Sequence, residues 1–190
     1  IMLMTVGAYA QMPKDKIALQ GEDSFKAEMF NEFSDTIEDN ALYVATTGSD
    51  SNAGTIDKPF ATVQKALDTV KAGQTIYVRG GTYNALNSFK TSGSEGKYIT
   101  LRNYPNETPF LTCTTGTNGA ILLLNGCNYI KIYGLEIGGH SAEQAYGILI
   151  NDCENHIIIS NNHIHNLLTT KPGENENGEA NGILLFGEGK

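Results

Sequence analysis

The chain repeats itself at an offset of 27 residues. Ala120–Gly139 set over Gly147–Asn166 without gaps gives six identities in twenty positions: Ile121/Ile148, Leu122/Leu149, Asn128/Asn155, Ile130/Ile157, Ile132/Ile159 and Ile137/Ile164. A further copy begins at Gly182-Ile183-Leu184-Leu185, offset by 35 from Gly147. A looser one precedes them, with Ile99-Thr100-Leu101 over Ile130-Lys131-Ile132 at an offset of 31. Short apolar runs separated by Gly and Asn at such a period describe a solenoid. The leucine-rich pattern LxxLxLxxN is absent, and so is the WD signature of propellers. The remaining fold class is all-β: a right-handed, single-stranded parallel β-helix. Each coil then supplies about three short strands, and equivalent residues of stacked coils lie about 4.8 Å apart. Ile130, Ile132, Ile157 and Ile159 are predicted to form inward ladders, and Asn128 over Asn155 an amide stack. Leu122, Leu149 and Leu184 have outward parity and are predicted to stack as a stripe beneath residues 25–37 or a neighbouring loop.

Composition agrees with that class. The 190 residues include 21 Gly and no Trp, and 40% are apolar, enough for one domain with a real core. Thirteen basic against 21 acidic side chains give a net charge of −8. Nucleic-acid partners need basic patches that displace counterions, so this balance argues against them. No apolar stretch is long enough to span a bilayer. The three cysteines, Cys113, Cys127 and Cys153, have no CxxC spacing and read as small packed hydrophobes.

Residues 1–10 end in Ala8-Tyr9-Ala10, the cleavage pattern of a secretory signal, although the basic start of such a signal is missing. The expectation is a signal remnant over 1–10, a mature start at Gln11 and a secreted, extracellular or periplasmic protein. Residues 11–40 carry Phe25, Met29, Phe33 and Ile37 at a spacing of four, as a docking helix would; a linker is the alternative. The third segment, 41–190, reads as a cap and the first coils of the solenoid, broken off within the repeat. In the cap, Ala41–Val44 and Thr75–Arg79 read as strands. A helix is predicted over 59–71, capped by Asp57, with Pro59 in its first turn, Phe60, Val63, Leu67 and Val70 on one face, and Gly73 at its end. That helix would plug the open end of the solenoid.

The extra residues fall at one corner. Nine residues (138–146) separate Ile137 from Gly147, and seventeen (165–181) separate Ile164 from Gly182. Insertions on one face of a solenoid mark its binding face. Beside that corner, Glu136 and His163 occupy equivalent outward positions of adjacent coils, a carboxylate–imidazole pair suited to acid–base work or to a metal. His163 and His165 form an HxH metal pattern. Glu174, Glu176 and Glu179 have carboxylate spacing that can bind Ca²⁺. Lys171 and Lys131 are basic groups able to meet an acidic ligand. His140, Tyr146 and His165 are candidate substrate contacts, Tyr146 by stacking on a sugar ring. For each of these residues an ordinary surface or packing role is the competing reading.

The cap has a familiar form. Its residues are Tyr43-Val44-Ala45-Thr46-Thr47-Gly48-Ser49-Asp50-Ser51-Asn52-Ala53-Gly54-Thr55, then Lys58-Pro59-Phe60-Ala61-Thr62-Val63-Gln64-Lys65-Ala66, then Ala72-Gly73-Gln74-Thr75-Ile76-Tyr77-Val78-Arg79-Gly80-Gly81-Thr82-Tyr83. It resembles the N-terminal cap of secreted right-handed β-helix proteins related to the family-nine pectate lyases. Ile99-Thr100-Leu101-Arg102-Asn103-Tyr104-Pro105 resembles their following coil, and the resemblance covers roughly residues 42–186. It implies β-elimination on a uronate-containing polysaccharide by a monomer: a base removes the proton α to the carboxylate, and Ca²⁺ neutralises that carboxylate. In the family a Lys is the base and an Asp cluster holds the ion. Where those lyases carry Asp-Gly before the base, this chain has Asn181-Gly182, followed by Ile183-Leu184-Leu185. The candidate catalytic residues in this stretch are His163, Glu136 and Lys171. The alternatives are a non-catalytic carbohydrate-binding or surface β-helix, and a β-helix glycoside hydrolase.

Overall fold

A computed structural model describes residues 3–4, 37–153, 156–171 and 178–187. Three parallel sheets run the length of the coils. The first holds β1 (Leu3–Met4), β2 (Leu42–Val44), β3 (Thr75–Val78), β6 (Ile99–Asn103), β9 (Ile130–Tyr133) and β12 (Ile157–Ser160), in the order β1-β12-β9-β6-β3-β2. The second stacks β4 (Gly81–Asn84), β7 (Pro109–Thr112), β10 (Glu136–Ala142) and β13 (His163–Thr169). The third stacks β5 (Asn87–Phe89), β8 (Gly119–Asn125), β11 (Gln144–Asn151) and β14 (Glu179–Phe186). The chain visits the sheets in rotation, one strand of each per coil, so this is a parallel β-helix.

The predicted ladders form. Ile99, Ile130 and Ile157 are register partners, as are Leu101, Ile132 and Ile159. All but Ile157 and Ile159 are fully buried, because the later coils lie nearer the end of the described stack. The offsets of 31 and 35 also hold, as Ile99↔Ile130 and Ile148↔Ile183.

The offset of 27 holds in the first and second sheets but not in the third. There Leu122 pairs with Ile148 and Leu124 with Ile150, an offset of 26. The second coil carries one more residue at the following corner, and the gapless alignment absorbed it as a slip. A slip of one residue reverses every side chain. Leu122 is therefore an inward core residue in the column Asn87–Leu122–Ile148–Ile183. The outward leucine column is Leu123–Leu149–Leu184, each half-buried. The same correction moves the amide stack. Asn155 lies outside the described residues, while Asn151 Nδ2 donates to Asn125 Oδ1 at 2.7 Å one coil below.

The corners explain the Gly and Asn content. Gly134 (φ 69°) stands one coil below Asn161 (φ 53°) at the turn after the first sheet. Left-handed backbone is cheap for Gly and tolerable for Asn, so the two residues alternate in that column.

The capping helix α1 spans Val63–Thr69, shorter than the predicted 59–71. Its cap is Thr62, not Asp57: Thr62 Oγ1 accepts from Lys65 N at 3.2 Å. Asp50 completes the cap by accepting from Ala61 N and Thr62 N at 2.9 and 3.0 Å and from Thr62 Oγ1 at 2.8 Å. Phe60 is not helical; it pairs as a bridge with Val44. A Cβ at Gly48 would strike the Phe60 carbonyl, and one at Gly54 its ring, which accounts for these two glycines of the cap motif. Val63, Ala66 and Leu67 are buried against the first coil. Of the apolar residues of the candidate docking helix only Ile37 is described, and it is exposed; Phe25, Met29 and Phe33 lie outside the described residues.

Residues 138–146 are not an inserted loop. They belong almost entirely to β10 and β11, with Glu143 alone between the strands. Of the later segment, residues 165–169 and 179–181 likewise belong to β13 and β14, residues 172–177 lie outside the described residues, and the two strands meet the same corner. There Glu143 O accepts from Glu179 N and from Thr169 Oγ1, and Ala142 O accepts from Thr170 N.

Candidate functional site

The outer face of the second sheet gathers the reactive side chains. Its strands are short and strictly in register, so alternate residues form vertical columns. Thr82, Phe110, Glu136 and His163 make one column. His165 opposes Gly138 in the neighbouring column. A Cβ at Gly138 would collide with the His165 carbonyl and crowd its Nδ1. The bare glycine therefore leaves a notch, and the imidazole of His165 reaches across it toward the coils below.

There His165 Nε2 donates to Glu136 Oε1 at 2.9 Å. Its ring stacks on Phe110 with centroids 5.8 Å apart and planes 10° from parallel. His163, the register partner of Glu136, places its ring 4.5 Å from that of His165. One ligating atom from each of Glu136, His163 and His165 lies within 4.8 Å of the others. Glu136 and His165 are half-buried and His163 is exposed. The predicted Glu136–His163 neighbourhood is thus present as strand register, but the hydrogen bond runs to His165. Sequence reasoning passed over Gly138 and Phe110. The signal available was a Gly facing a His in the aligned repeat, and an aromatic in the equivalent outward position one coil earlier.

Other expected contacts lie elsewhere. His140 is in β10, not in a loop, and is fully buried. Its Nδ1 lies 3.0 Å from the Cys113 carbonyl and its Nε2 3.1 Å from the Gly119 carbonyl, so it ties interior backbone and cannot touch a sugar. Tyr146 is also buried, and its hydroxyl donates to Glu179 Oε2 at 3.0 Å. Burial, reinforced by the Glu179 carboxylate, raises its phenol above the usual range. A ring so placed offers no face for stacking. Lys171 is committed to Glu143 across the corner, Nζ to Oε1 at 2.6 Å, and that contact lowers the Glu143 carboxyl. Lys131 sits with Nζ 4.6 Å from the centre of the Tyr98 ring.

Of the Ca²⁺ set expected from Glu174, Glu176 and Glu179, only Glu179 is among the described residues. Glu174 and Glu176 lie outside them, and Glu179 is occupied by Tyr146. Nor does the Glu136 cluster fit Ca²⁺, which takes six to eight oxygen ligands. Two imidazoles and one carboxylate form the wrong donor set for it. Among the described residues, no helix is long and apolar enough to cross a membrane.

Comparison with known proteins places this geometry. The chain is 37% identical over 145 residues to the uncharacterized protein YwoF of Bacillus subtilis (strain 168), covering 72% of this chain and 31% of that protein. It is 30% identical over 162 residues to the pectate lyase PEL9 of Emericella nidulans, covering 77% and 36%. The chain thus spans about a third of the length of these curated relatives. Among solved structures, the GH136 lacto-N-biosidase of Eubacterium ramulus superposes with a TM-score of 0.58 at 19% identity, over 78% of this chain and 30% of that one. A rhamnogalacturonan lyase superposes at 0.51 with 22% identity, over 64% and 36%. These two likenesses speak to the fold alone. The family model described as "Pel9A-like, right handed beta helix region" matches residues 42–185, the whole stretch from cap strand to last coil. The chain therefore belongs to the Pel9A-like right-handed β-helix family.

Proposed function

We propose that this chain is the cap and first coils of an exported protein that cleaves uronate-containing polysaccharide by β-elimination. The observation that carries the reading is the 30% identity to a pectate lyase along the cap and coils. Export is supported by the Ala8-Tyr9-Ala10 pattern. The outer face of the second sheet is the glycan surface in this reading. Phe110 meets the apolar side of a sugar ring. Glu136, His163 and His165 face its hydroxyls and carboxylate. Lys171 contributes to the corner through Glu143 and becomes a catalytic group only if that pair opens.

The test is incubation of the full-length protein with polygalacturonate, alginate and a neutral xylan, with and without a chelator. Elimination leaves an unsaturated uronate at each new non-reducing end, read by ultraviolet absorbance, and an ordinary reducing end on the other product. The expected result is that absorbance on an acidic polymer and none on xylan, and the chelator arm reports any Ca²⁺ requirement. New reducing ends without absorbance would show a hydrolase instead. Affinity without cleavage would show a binding protein.

A further inference from the structure

We propose that Glu136, His163 and His165 form a binding site for a divalent transition-metal ion of the Zn²⁺ class. Two imidazole nitrogens and one carboxylate oxygen are a donor set of three-ligand zinc sites, and a poor one for Ca²⁺ or Mg²⁺. The three donors already lie within 4.8 Å of one another. A tetrahedral ion with bonds of about 2.1 Å needs its ligand atoms about 3.4 Å apart. The 2.9 Å contact between His165 and Glu136 has only to open slightly to admit it.

The scaffold holds that geometry before any ion arrives. Glu136 and His163 stand on adjacent strands in fixed register, and His165 is the next outward residue on the same strand as His163. Gly138 provides the notch that lets His165 lean back, and Phe110 holds its ring from one side. A surface ion pair would explain Glu136 and His165, but it gives His163 nothing to do. A metal uses all three. The exposure of His163 leaves the fourth position to water or another oxygen donor; on the proposed function, a uronate carboxylate takes it.

The experiment is titration of the chelator-stripped full-length protein with Co²⁺, then with Zn²⁺ in competition. Wild type should gain one equivalent of Co²⁺ with visible bands of tetrahedral intensity, displaced by Zn²⁺. His163→Ala and Glu136→Gln should each weaken that equivalent by at least about tenfold. Gly138→Ala keeps every ligand residue but pushes on the His165 carbonyl and so displaces that ligand, and it should weaken binding too. His156→Ala, at a ring stacked on Tyr129, should match wild type. Circular dichroism confirms that each variant is folded. Equal stoichiometry and affinity in wild type and His163→Ala would overturn the proposal, as would cobalt binding that survives all three site variants. Cobalt bands without uronate cleavage would sink the proposed function and leave the metal site standing; cleavage without bands would do the reverse.

Discussion

Asp50 shows how much one side chain can organise. It sits in a loop and hydrogen-bonds three groups at the start of α1. The motif in which it lies was legible in the sequence, but its role was not, because the acceptor lies twelve residues before the N-cap Thr62. Asp50→Ala should cost about 1–2 kcal/mol, at the upper end for a lost N-cap, measured as a lower midpoint in urea. A second local contact sets a pH dependence. Arg79 Nε donates to Glu107 Oε1 and Oε2 at 2.8 and 2.9 Å, and Gly80 N also donates to this carboxylate. The Arg79 bonds hold the Glu107 carboxyl below its ordinary value of 4.5. A lowered folded value means the unfolded chain binds the proton more readily. The stabilisation is therefore complete above that range and fades as pH falls through it. Glu107→Gln should flatten the acid side of the stability profile; an unchanged profile would show that the pair contributes nothing.

At the scale of strands and corners, sequence periodicity predicted the inward ladders and their partners in the first sheet. It missed the one-residue drift in the third, because an identical Ile and Leu at the slipped positions masked it. Periodicity also failed for His140. A histidine beside glycines reads as loop, yet this one continues β10 into the core. The reason is local: the Cys113 and Gly119 carbonyls point inward at this corner, and the ring meets both. His140→Leu keeps comparable bulk but removes the one ring N–H that a neutral imidazole can donate to the Cys113 or the Gly119 carbonyl. It should destabilise the protein by about 2–3 kcal/mol, read by thermal or urea unfolding. A cost near zero would mean that those carbonyls find other partners.

At the scale of the whole molecule, the parallel coil is what turns a sequence offset into a surface. Residues Phe110, Glu136 and His163 are 26 and 27 apart in the chain but one strand apart in space. The fold class was readable because it depends on a repeated pattern. The site was readable only as far as register goes, since a ring leaning over a glycine is a matter of side-chain direction that no offset encodes. A β-helix by itself does not fix an activity. The proposed glycan face is the outer side of β7, β10 and β13. Affinity of the full-length protein for oligogalacturonate, measured by calorimetry on wild type and on Phe110→Ala, tests that face most directly. The account predicts about a tenfold or greater loss of affinity in the folded variant, in line with removal of an aromatic contact. Unchanged affinity would place the glycan elsewhere on the molecule.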